Sequence, residues 1–123
     1  MAGDERLVVC ASAALAEGGE GVRFEVQRGR ETAPAFAIRY EGRVYAYVNR
    51  CAHVGVELDW EAGRFFDADG IVLLCSTHGA LYDPTTGGCL GGPCRGGGLI
   101  PIPVEEIDGA VVAILKEQVR SHG

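Results

Sequence analysis

Two short stretches pair a cysteine with a histidine. NRCAHVGV (49–56) holds Cys51 and His53 one residue apart, and CSTHGALYD (75–83) holds Cys75 and His78 two residues apart. The chain therefore reads C-x-H, then 21 residues, then C-x-x-H, and these pairs use two of its three histidines and two of its five cysteines. Neither pair sits in a clear helical pattern. The spacing predicts two loops that other elements must bring face to face.

Those other elements read as short strands. VRFEV (22–26) alternates with the period of a half-buried strand. AFAIRY (35–40) and VYAYV (44–48) flank Glu41, Gly42 and Arg43 as a hairpin. Residues 64–66 and 71–74 bracket DADG (67–70), and LIPIPVEEI and AVVAIL surround Asp108-Gly109, two further hairpin signals. Leu7 to Cys10 predicts a strand. Ser12 then reads as a helix cap, AALAE as one helical turn and Gly18-Gly19 as its end. The glycine-rich run TTGGCLGGPCRGGG (85–98) carries Cys and Pro between strands, which predicts an ordered loop rather than a linker. With 123 residues the expectation is one domain, 1–123, all-β and antiparallel.

The formal net charge of −6 and the lack of a basic stripe argue against nucleic acid as a partner and allow docking to a basic patch on another protein. No apolar run approaches the ~20 residues of a membrane span. LVVCASAALA (7–16) is short, and MAGDER before it has two acids and one base, the wrong sign for a secretory leader. The expectation is a cytoplasmic protein with no membrane partner. In the cytoplasm cysteines are more often ligands than disulfides.

Three readings of the Cys/His pairs compete. Zinc accepts Cys2His2, but structural zinc usually draws two cysteines from one knuckle and two histidines from a helix. A Rieske [2Fe–2S] centre takes two thiolates on one iron and two imidazoles on the other, which two mixed loops supply. The third reading is ordinary core cysteines and surface histidines, which the paired spacing disfavours.

The residues around the pairs resemble the Rieske [2Fe–2S] family. CAH with glycine two residues on, then CSTHGALYD, TTGG and GP match its pattern at Cys51, His53, Cys75, His78, Gly79, Tyr82, Asp83, Thr86, Gly87, Gly92 and Pro93. The resemblance implies a small antiparallel Rieske-like β-sandwich with a cluster-binding subdomain at about 49–98, formed by two loops. It implies one [2Fe–2S] cluster held by Cys51, His53, Cys75 and His78, with Gly79, Ala80, Tyr82 and Pro93 around it. The high-potential branch has an extra cysteine in each loop, forming a disulfide, and a Ser after H-G. Here 55–58 lacks the first cysteine, Thr77 takes the place of the second and Ala80 that of the Ser. The soluble ferredoxin branch is the better match.

The implied function is one-electron transfer from a flavin reductase to a terminal oxygenase or other redox enzyme. The alternatives are a small electron-transfer subunit of a larger reductase, similar to that of assimilatory nitrite reductase, and a zinc-stabilised binding module. Rieske oxygenases also need a mononuclear iron on two His and a carboxylate. After the second pair only His122 remains, in the tail, so the chain by itself cannot be such an oxygenase. Cys10 reads as core. Cys89 and Cys94 flank the Gly-Pro loop, and a disulfide between them runs against a reducing compartment.

Overall fold

The computed structural model describes residues 4–28, 30–50, 58, 63–75, 79–92 and 97–116. Its strands are β1 (Asp4–Ala11), β2 (Val22–Arg28), β3 (Glu31–Tyr40), β4 (Arg43–Val48), β5 (Leu73–Leu74), β6 (Leu81–Tyr82), β7 (Cys89–Gly91), β8 (Pro101–Ile102), β9 (Val104–Ile107) and β10 (Ala110–Lys116). They pair antiparallel in three sheets, ordered β1-β10-β9, β2-β3-β4-β8 and β5-β6-β7. The all-β expectation holds. The helical turn expected after Ser12 is a 3-10 turn, Ser12–Ala14, in which Ala11 stands at the cap and no side chain caps it. One turn fixes several dihedrals for a single hydrogen bond, too little to nucleate an α-helix.

Two hairpin turns follow directly from their residues. Glu41-Gly42 has φ of 52° and 80°, and Asp108-Gly109 has 51° and 78°. Consecutive left-handed residues match the right-handed twist of the strands they join. Glu41 is an unusual residue for this conformation, and its N–H and that of Gly42 both donate to the Glu17 carboxylate, which holds the turn. Arg43, expected in the turn, is the first residue of β4. LIPIPVEEI is not one strand: β8 joins β4, β9 joins β10, and Pro103 stands between them. Pro103 has no N–H to continue a ladder, but its carbonyl accepts the Ile114 N–H at 2.8 Å, so the chain changes sheets there.

The central sheet is covered on both faces, which explains why AFAI (35–38) is buried without interruption. On one face Ala33, Ala35, Ala37, Ala46 and Val48 pack with Val111 and Ala113 of β10. On the other, Phe36, Ile38 and Tyr47 pack with Leu58, Phe65, Leu73, Cys75, Ala80, Tyr82 and Leu99. Methyl groups let the β1-β10-β9 sheet approach closely, while aromatic rings carry the small β5-β6-β7 sheet. Arg39, on the alanine side, bridges the layers. Its Nη1 and Nη2 donate to both Glu106 carboxylate oxygens at 3.2 and 2.7 Å, and its Nε and Nη2 reach the carbonyls of Leu15 and Ser12 at 2.9 and 3.0 Å.

Candidate metal centre

The aromatic side of the central sheet carries the chemistry. Cys75 leaves β5 fully buried, beside Leu73, Ala80 and Tyr82, and belongs to no disulfide. Its N–H donates to the Ala80 carbonyl at 2.9 Å, and its own carbonyl accepts the Gly79 N–H at 2.7 Å. The two ends of the second Cys/His stretch are therefore tied to each other. Gly79 has φ of 75°, which an L side chain rarely adopts, so the glycine after His78 serves the turn.

Cys51, His53, His78 and Pro93 lie outside the described residues, as does Cys94. The structure therefore describes one of the four candidate ligands, Cys75, and residues that flank the two stretches. Ala80 and Tyr82 are fully buried, so the Tyr82 hydroxyl does not point to solvent. Gly92 has φ of 83°, and a Cβ there would stand 2.7 Å from the Gly79 carbonyl oxygen and 3.0 Å from the Ala80 Cα. The residue before Pro93 is thus pressed against the end of the second stretch with no room for a side chain.

The DPTTG segment (83–87) is a turn clasp. Asp83 Oδ1 accepts the Thr85 N–H at 2.8 Å and the Thr85 hydroxyl at 2.7 Å, and the Asp83 carbonyl accepts the Gly87 N–H at 2.7 Å. The Thr85 bonds hold the Asp83 carboxyl below the usual carboxylate range. The Tyr47 hydroxyl donates to the Pro84 carbonyl at 2.7 Å, and its ring fills the space beside Gly87, where a Cβ would stand 2.8 Å away. Burial, with Asp83 nearby, pushes the Tyr47 phenol far above its ordinary value, so it stays a neutral donor.

Cys89 is disulfide-bonded, with its partner outside the described residues. That runs against the reduced state expected of a cytoplasmic chain. Cys10 is a thiol outside any disulfide, pushed up by burial, in keeping with core packing. Sequence reading missed Asn49, which is fully buried and whose Oδ1 accepts the Leu58 N–H at 2.9 Å across the first Cys/His stretch.

The Rieske [2Fe-2S] domain family matches residues 5–115. The chain belongs to that family. A Rieske domain holds a single [2Fe–2S] cluster, and the buried Cys75 thiol on its closed turn suits the thiolate side of such a donor set. Solved Rieske-domain relatives agree in fold. A chain from the complex of reduced oxygenase and oxidised ferredoxin in carbazole 1,9a-dioxygenase is 26% identical with a TM-score of 0.70, covering 94% of this chain and 97% of that one. The Sphingomonas yanoikuyae B1 ferredoxin is 24% identical with a TM-score of 0.68, covering 92% and 99%. A Mycobacterium tuberculosis protein assigned as an NADH-dependent nitrite reductase small subunit is 18% identical with a TM-score of 0.67, covering 90% and 95%. No curated protein matches the chain. Among the described residues no helix is long and apolar enough to cross a membrane.

Proposed function

We propose that the protein is a one-electron carrier, a Rieske-type ferredoxin passing electrons from a flavin reductase to a terminal oxygenase. The observation that carries this reading is Cys75: a fully buried thiol, outside any disulfide, on a turn closed by its own backbone, in a chain of this family. In this reading Cys51 and Cys75 hold one iron and His53 and His78 the other, within a subdomain at about 49–98 of a domain spanning 1–123. When bound, the cluster takes up and returns one electron. The chain's own residues exclude water through Leu73, Ala80 and Tyr82 and fix the second stretch through the Gly79 and Gly92 backbones. Its likeness to a chain from an oxygenase–ferredoxin complex supports an oxygenase as the acceptor.

A second reading, a small electron-transfer subunit of a larger reductase, is supported by the likeness in fold to the nitrite reductase small subunit. The compartment proposed is the cytoplasm, and the Cys89 disulfide is the observation that counts against it. Metal and acid-labile sulfide analysis of protein made under iron-replete conditions tests the cluster: two irons and two sulfides per chain are expected, and one zinc without sulfide overturns the reading. Co-purification separates the two roles. A lone chain that reduces an added oxygenase favours the ferredoxin, and a stable complex with a large reductase favours the subunit.

A further inference from the structure

Asn49 is the buried polar side chain of the core: among the described residues no other polar or charged residue is fully enclosed. It follows the end of β4, and its N–H donates to the Pro34 carbonyl of β3 at 2.8 Å, which fixes its backbone to the central sheet. Its Oδ1 accepts the Leu58 N–H at 2.9 Å. Leu58 is itself fully buried in the aromatic core. The two described ends of the stretch bearing Cys51 and His53 are thus joined by a side chain rather than by a strand ladder.

We propose that Asn49 is a positioning residue that clamps the first Cys/His stretch through its bond to Leu58 and so sets the geometry of the ligands between them. The inference rests on the proposed ligand set. An unclamped stretch must spend chain entropy to bring its ends together whenever the ligands engage. The second stretch closes by its own backbone, Gly79 to Cys75, whereas among the described residues the first is bridged through the Asn49 side chain. Losing the acceptor strands a buried N–H, a cost that can speed ligand release by about tenfold or more.

The test uses the cluster-loaded protein with Asn49→Leu, which keeps the branched shape and removes the acceptor, and Asn49→Asp, which keeps an oxygen in place. The readouts are the rate of loss of visible absorbance under an iron chelator, the electron paramagnetic resonance spectrum of the reduced protein, and thermal unfolding. Asn49→Leu is expected to bleach about tenfold faster with shifted g-values, and Asn49→Asp to stay nearer wild type on both. In wild type, the Leu58 amide is expected to exchange slowly with deuterium. Wild-type bleaching and spectrum in Asn49→Leu, equal bleaching in the two variants, faster bleaching only in proportion to lower unfolding temperature, or fast exchange at Leu58 each overturn the clamp. Wild-type protein without a cluster overturns instead the reading beneath it.

Discussion

The rings of Phe36 and Phe65 stack with their centroids 4.0 Å apart and their planes 10° from parallel. Phe36 belongs to the central sheet and Phe65 to the arm that leads into β5, so this stack fastens the Cys75 side of the molecule to its base. Gly21 passes beneath it, where a Cβ would stand 2.7 Å from both the Phe65 ring and the Ala37 carbonyl. Phe65→Ala should cost about 3–5 kcal/mol as a large core truncation, and Gly21→Ala about 1–3 kcal/mol by overpacking. Urea unfolding measures both, and a loss below about 1 kcal/mol for Phe65→Ala would make the stack dispensable.

The cysteines divide by role. Cys75→Ser should lose the cluster and much of the fold, because metal binding and folding are coupled, while Cys10→Ser keeps its colour. Alkylation without reductant should spare Cys89 and label it only after a thiol reductant is added. Mass spectrometry of the labelled peptides reads this directly, and labelling of Cys89 in native protein would contradict the disulfide.

Much of this was legible from residue spacing. The paired Cys/His stretches and the Glu41-Gly42 and Asp108-Gly109 turns each announce themselves through local chemistry. Pro34 did not: it sits inside β3 opposite Glu25, and a proline within a run argues against a strand because it cannot donate to the ladder. The three layers were hidden as well, since an uninterrupted apolar run such as AFAI does not say what covers each face. Asn49 was missed because burial of a polar residue comes from distant packing, and only its place two residues before Cys51 hinted at it.

The potential should respond to residues beside Cys75. Donors aimed at cluster sulfurs favour the added electron, and Ala80 and Tyr82 are both buried next to that cysteine. The resemblance to the high-potential branch implies two such donors, a Ser after H-G and a Tyr two residues later. Here Ala80 stands at the first position and Tyr82 at the second, so the potential should lie in the lower half of the roughly −150 to +300 mV Rieske range. Ala80→Ser should raise it and Tyr82→Phe lower it in protein-film voltammetry. Shifts below about 30 mV, on the order of 0.7 kcal/mol for one electron, in both variants would show that neither position tunes the centre.

Acid should weaken the fold through Asp83. Its folded carboxyl titrates below the usual value because Thr85 donates to it twice. As pH falls, the unfolded chain protonates first, near pH ~3.9. The stabilisation is therefore complete above that value and lost as pH drops through the lower folded pKa. Asp83→Asn keeps an acceptor without the charge. Its deficit relative to wild type should be present at neutral pH and shrink below pH ~4 in urea titrations. A deficit that does not change with pH would mean the charge contributes nothing.

Strand β3 sends methyl groups to one neighbour layer and Phe36 and Ile38 to the other. Side chains alternate with a period of two, so sliding β3 by one position would drive a phenyl ring into a slot sized for alanine and leave a methyl facing the rings. A sheet wetted on one side can misalign by trading core for solvent. Its 35–38 segment has no solvent to trade with, so a misaligned hairpin formed during folding meets a clash on one face and a void on the other. Strand β3 thereby rejects wrong alignments before Cys75, farther along the chain, packs on its aromatic face.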